Sequence, residues 1–105
     1  MKFSAITLFP EMFDAIRNEG VVSRAINKSL LEIEAIQLRN FAQNSRKNVD
    51  APPAGGGDGM VIMADIAERA LQSILTTESL VILTTPKGKI FSSQLAKKLS
   101  QKKHL

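Results

Sequence analysis

Apolar and polar positions alternate at the start of the chain. In "KFSAITLF", Phe3, Ala5, Thr7 and Phe9 share one side, which predicts a strand. Pro10 suits the first turn of a helix, where its missing N–H costs nothing, and Glu11 favours the same end. Met12, Phe13 and Ile16 then form a helical stripe that Gly20 closes. "SRAINKSL" predicts a second short helix, with Ser23 as its cap and Ala25, Ile26 and Leu30 facing inward.

"LEIEAIQLR" returns to alternation, with Leu31, Ile33 and Ala35 opposite Glu32 and Glu34. The phase slips at Ile36, which predicts a bulge or a change of burial. Residues 42–60 have no period and form a long polar loop rich in Gly and Pro. "ADIAERALQSIL" gives the cleanest helix: Ile66, Ala67, Ala70, Leu71, Ile74 and Leu75 share a face, and Asp65 and Glu68 have capping-box spacing. "SLVILTTP" is a continuous apolar run of the kind that forms strands buried on both faces. Pro86 and Gly88 predict a tight turn, and Phe91, Leu95 and Leu99 mark a last helix. The order β-α-α-β-loop-α-β-α predicts an α/β fold, a parallel sheet with helices on both faces and right-handed crossovers. After that helix the chain ends at "KKHL" with no further strand expected, so apolar faces are left to cover and the sequence reads as part of a domain.

Composition narrows the classes. A chain of 105 residues makes one domain or a piece of one, and 44% apolar residues allow a core. No apolar run approaches the roughly 20 residues that span a bilayer, and the N-terminus lacks a signal-peptide block. The absence of Cys excludes disulfides and thiolate metal sites, and a cytoplasmic location is the expectation. The lone His104 is expected as a polar or core residue rather than a ligand. The net charge of +4 is uneven, because residues 79–105 hold six Lys and no acid. Lys87, Lys89, Lys97, Lys98, Lys102 and Lys103 make either a solvated face or a surface that attracts phosphates.

The candidate chemistry centres on "APPAGGGDGM", residues 51–60, which holds Gly55, Gly56, Gly57 and Gly59, four of the six glycines. Such a run serves turn geometry, or it lets backbone approach a flat ligand or a phosphate. A P-loop is excluded, since Met60 stands where Lys-Ser/Thr is needed, and no strand precedes the glycines as a dinucleotide fingerprint requires. "TTPKG", residues 84–88, falls at the expected carboxyl end of a parallel strand, where α/β sheets bind ligands. An ordinary βα turn fits it equally well.

Taken in order, "ITLFPEMF" (6–13), "SRAI" (23–26), "VD" (49–50), "GGGDGM" (55–60) and "TTPKGK" (84–89) resemble the N-terminal part of bacterial tRNA (guanine-N1)-methyltransferases. The likeness runs through essentially the whole chain. It implies a partial SPOUT-type domain over residues 1–105, trefoil-knotted in the complete family, in a homodimer whose sites are shared between subunits. It implies methyl transfer from S-adenosylmethionine to N1 of the guanosine 3′ of the tRNA anticodon. Leu83, Thr84, Thr85 and Pro86 correspond to the first cofactor-contacting segment. Arg24, Asp50, Gly55, Gly56, Gly57 and Gly59 correspond to the substrate side. The acid that serves as catalytic base, the other cofactor loops and the tRNA-binding domain correspond to sequence beyond Leu105, so the isolated chain is expected to be inactive. The family pattern "VDDxPYGGGPGM" is departed from at Ala51, Ala54 and Asp58. The alternatives are a truncated or degenerate relative that binds RNA through its Lys-rich helix without catalysis, and a purely structural fragment.

Overall fold

A computed structural model describes residues 1–105. The first strand, β1 (Lys2–Thr7), is followed by α1 (Met12–Asn18) and α2 (Gly20–Asn27), and β2 (Glu32–Gln37) returns parallel to β1. A parallel pair needs a crossover of this kind, since a tight hairpin reverses the chain. The two helices are separated by Glu19 in extended backbone and by Gly20 at φ +71°, a value that favours glycine. Gly20 therefore both ends α1 and starts α2. Ser23 lies inside α2, so the expected cap there is corrected.

The register of the pair is unbroken from Lys2↔Glu32 to Thr7↔Gln37, and the expected bulge at Ile36 is absent. The phase slip marks a change of burial, the other expected cause. The strand stops at Gln37, and Leu38 turns into the core on a 3-10 turn, Leu38–Phe41. The Gln37 side chain accepts from the Arg39 N–H to start that turn.

The core is small. Leu38, Val49, Ile66 and Ala70 are buried, with Ile6, Leu8, Phe41, Ala42 and Met63 packed around them. Ile66 and Ala70 are one helical turn apart on α3 (Ala64–Gln72), as the period predicts. Burying a side chain the size of Ile66 contributes about 1.5–3 kcal/mol. The capping box at Asp65 does not form. Met63 precedes the helix without a side-chain cap, and Asp65 instead pairs with Arg69 at 2.9 Å. Arg69 also donates to the Phe41 carbonyl at 3.2 Å, tying α3 to the 3-10 turn.

Residues 42–60 are not all loop. Asp50–Ala51 (β3) pairs antiparallel with Val61–Ile62 (β4), which makes residues 52–60 the tip of a hairpin. The Met63 N–H donates to the buried Val49 at 2.8 Å and roots this hairpin in the core.

The strand expected over 79–86 reduces to one bridge. Ser79 pairs with His104, and the Leu80 N–H donates to the His104 carbonyl at 3.0 Å. From Val81 to Thr84 no backbone group makes a hydrogen bond, and Val81, Ile82 and Leu83 lie exposed without ladder bonds. A strand needs at least one neighbour to take up its backbone N–H and C=O groups, and Val81, Ile82 and Leu83 have none here. α4 (Ser93–Leu99) follows, capped by the Ser92 side chain on Leu95 N–H, and Phe91 stays exposed.

A strand-like segment does follow the last helix, contrary to expectation. Lys103–Leu105 runs beside β1: Lys2 N–H donates to Lys103, Ser4 N–H to Leu105, and Leu105 N–H back to Lys2. His104 bridges Lys2 on one side and Ser79 on the other. Its ring is buried, as expected for a core His. Nε2 lies 2.9 Å from Ser4 Oγ, and Nδ1 lies 2.6 Å from Ser79 Oγ.

Candidate functional site

β1 and β2 are parallel, so Thr7 and Gln37 mark one shared carboxyl end and Lys2 and Glu32 the other. The 3-10 turn leaves from the carboxyl end, and it leads through residues 42–49 to the hairpin. Within the hairpin tip the Gly56 N–H donates to Pro53 at 3.0 Å. Gly57 and Gly59 then take φ values of +109° and +96°, which L side chains rarely adopt. A Cβ built on any of the four loop glycines meets nothing within 4 Å. Backbone conformation therefore explains Gly56, Gly57 and Gly59 within the chain but not Gly55, and together they leave a bare, open loop. Asp50 begins the hairpin, and its exposed carboxylate has no hydrogen bond or ion pair. Arg24, in the last turn of α2, is likewise exposed and unpaired.

Leu83, Thr84, Thr85 and Pro86 are exposed, with Leu83 82% accessible. Gly88 N–H donates to the Thr85 carbonyl at 3.0 Å, and Lys87 N–H to Thr85 Oγ1 at 3.3 Å. A Cβ at Gly88 would stand 3.1 Å from that carbonyl and 3.2 Å from Thr85 Cγ2, so a side chain there would crowd the tight turn. The backbone groups of Val81 to Thr84 make no hydrogen bonds. Unpaired amides, carbonyls and a free hydroxyl are a donor set that fits a heteroaromatic edge or an amino-acid-like tail. No hydrogen bond joins residues 55–59 to residues 84–88, and nothing stands against the loop glycines. The chain alone does not bring the two segments together.

Two hollows lie elsewhere. The larger, of about 930 Å³, opens at the amino ends of the strands among Arg17, Ser23, Asn27, Lys2, Glu32 and Lys103. Its cations are already paired: Lys2 with Glu34 at 2.9 Å and Glu32 at 3.2 Å, Arg17 with Asp14, and Lys103 with Glu78. The hydrogen bond from Lys2 holds the Glu34 carboxyl below its ordinary range, and donating to Glu34 and Glu32 holds the Lys2 ammonium above its own. The Glu78 hydrogen bond likewise raises Lys103. The smaller hollow, about 240 Å³, is apolar, between Phe3, Ile82, Phe91, Leu99 and Leu105.

Sequence reasoning missed the polar relay through His104. Ser4 Oγ donates to Glu34 at 3.3 Å, and Ser79 Oγ accepts from Thr76 N–H at 2.9 Å. The pattern fits a ring proton on Nε2 and a Ser79 hydroxyl aimed at Nδ1. Nothing in local sequence could have signalled it, because Ser4 and His104 are 100 positions apart.

In this α/β unit the glycine hairpin, reached from the sheet's carboxyl end, and the unpaired segment 81–84 both stand open. The whole of residues 1–105 matches the family model described as tRNA (Guanine-1)-methyltransferase TrmD. The chain belongs to this family. It is 46% identical over 97 residues to the tRNA (guanine-N(1)-)-methyltransferase of Mycoplasma mycoides subsp. mycoides, covering 92% of this chain and 40% of that protein. It is 43% identical over 105 residues to the enzyme of the same name from Deinococcus deserti, covering 100% of this chain and 39% of that one. The chain thus spans about 40% of the length of these relatives. No helix is long and apolar enough to cross a membrane.

Proposed function

We propose that the chain forms the N-terminal part of an S-adenosylmethionine-dependent tRNA methyltransferase. The methyl acceptor is N1 of the guanosine 3′ of the anticodon. The observation that carries this reading is the family match along all of residues 1–105. The complete protein is a cytoplasmic homodimer whose SPOUT-type domain is knotted and has helices on both faces of its sheet. The knot closes over residues outside this chain.

In this reading Leu83, Thr84, Thr85 and Pro86 hold the cofactor, through free backbone groups and hydroxyls. The bound cofactor supplies an electrophilic sulfonium methyl. Asp50, Arg24 and the bare backbone at Gly55, Gly56, Gly57 and Gly59 receive the tRNA side. Asp50 has its carboxylate free to accept a hydrogen bond from the guanine edge, and Arg24 has a guanidinium free for a phosphate. Alignment of acceptor and donor supplies much of the rate. No residue of this chain is assigned as the base that removes the N1 proton. Residues 55–59 and 84–88 share no hydrogen bond within one chain, which suits a site shared between two copies.

The test is to complete the chain with the sequence that follows the matching position in the Deinococcus deserti relative. An unmodified tRNA transcript and labelled S-adenosylmethionine are then supplied. The completed protein is expected to form N1-methylguanosine, while the 105-residue chain forms none. Asp50→Asn is expected to lower kcat/KM about ten- to a hundredfold, the worth of one charged hydrogen bond. A completed protein that folds and binds tRNA but never methylates it would replace this reading with that of a non-catalytic RNA-binding relative.

A further inference from the structure

Residues 35–49 contain no acid, and they hold three cations, Arg39, Arg46 and Lys47. None of the three has an ion-pair partner. The fold gathers them into one closed turn. Asn44 Nδ2 donates to the Asn48 carbonyl at 3.0 Å, and Asn44 Oδ1 accepts from the Asn48 N–H at 2.9 Å. The Lys47 N–H donates to Asn44 at 3.0 Å, and Arg39 Nη1 reaches the Lys47 carbonyl at 3.3 Å. Buried Val49 anchors the turn to the core one residue before Asp50. Lys47 itself sits at φ +52°, a left-handed conformation in which Asn is far commoner than Lys. An exposed lysine there, whose side chain makes no hydrogen bond or ion pair, presents its charge at the cost of backbone comfort.

We infer that Arg39, Arg46 and Lys47 form a phosphate-contacting surface for the RNA backbone. The inference rests on the tRNA reading above and assigns the docking to a particular edge. The turn follows Gln37, at the carboxyl end of the strands. The C-terminal lysines Lys102 and Lys103 lie at the other end, where Lys103 pairs with the first residues of β1. Six residues of strand separate the ends by roughly 16 Å. Only the turn is continuous with the hairpin that bears Asp50 and the bare glycine loop.

The test compares tRNA-transcript binding by the 105-residue chain, by R46Q/K47N, and by a variant with Lys97, Lys98 and Lys102 changed to Ser, across a salt series. R46Q/K47N removes no side-chain hydrogen bond, and Asn suits the backbone at position 47, so its urea midpoint is expected to be no lower than the parent's. Its slope of log K against log salt is expected to shrink by about 2. Between about 50 and about 200 mM salt the parent then loses about tenfold more affinity than the variant. The helix variant is expected to keep the parent's slope. An unchanged slope in R46Q/K47N, or a loss confined to the helix variant, overturns the assignment. Methylation by the completed protein would survive that result, so failure of this surface and failure of the methyltransferase reading are told apart. A parent chain that binds no RNA overturns the surface outright.

Discussion

Replacing His104 with Ala removes the residue that joins β1 to residue 79. The ring makes two hydrogen bonds, to Ser4 Oγ and Ser79 Oγ, each worth about 1 kcal/mol net. The ring is also buried, so the substitution leaves a cavity as well as two hydroxyls short of a partner. Together these give a destabilisation of about 2–4 kcal/mol. That is a large share of the roughly 5–15 kcal/mol that holds a domain of this size. Urea denaturation followed by far-ultraviolet circular dichroism measures it. Amide exchange adds the location, with faster exchange expected at Ser4, Leu80 and Leu105, whose N–H groups define the Lys103–Leu105 pairing. A double-mutant cycle with Ser79→Ala should return a coupling of about 0.5–3 kcal/mol, as for residues in direct contact. A change below about 0.5 kcal/mol, with exchange unaltered at those three amides, would show that His104 does not hold a third strand in place.

The Glu34 carboxyl is held low chiefly by the Lys2 hydrogen bond, so its contribution to stability is present above its unfolded value near 4.5 and lost as pH falls through the lower folded value. The stability difference between the parent and Glu34→Gln should therefore shrink below about pH 4.5, and it should be small throughout because the pair is half exposed. Differential scanning calorimetry at several pH values reads both. In the hairpin tip, Gly57→Ala and Gly59→Ala should each cost about 1 kcal/mol or more, because their φ values suit no L side chain, whereas Gly55→Ala should be neutral. Equal effects at the three positions in thermal denaturation would sink that account. Arg69→Ala should cost about 1–2 kcal/mol through the lost bond to the Phe41 carbonyl, measured by the same method.

Where a period extends over several turns or a whole strand, the chain announces its elements. α3 is legible because Ile66 and Ala70 recur at helical spacing, and β1 and β2 because each opens with polar and apolar positions in alternation. The hairpin was not legible, since β3 and β4 are two residues each and too short to display a period. The run at 79–86 has the composition of a buried strand, but composition does not supply the neighbours that would pair with Val81 to Thr84. Ser23 looked like a cap because caps are read from residue type, while Gly20's positive φ had already set the start of α2. Within the candidate site, the four glycines and the turn at 84–88 were visible as motifs. That no hydrogen bond joins them was not, and neither was the closed turn beside Arg39 that holds Arg46 and Lys47, which depends on side-chain hydrogen bonds of Asn44.

The central claim is that the segment at Leu83–Gly88 and the bare loop at Gly55–Gly59 border one methyl donor and its acceptor in the complete protein. Hydrogen exchange read by mass spectrometry on the completed chain tests it directly, with S-adenosylmethionine alone and then with S-adenosylhomocysteine and tRNA together. The account predicts slower exchange over residues 81–88 with the cofactor alone, and added protection over residues 50–60 when tRNA joins. Exchange over both segments that is indifferent to either ligand, in a protein that demonstrably binds them, would contradict it.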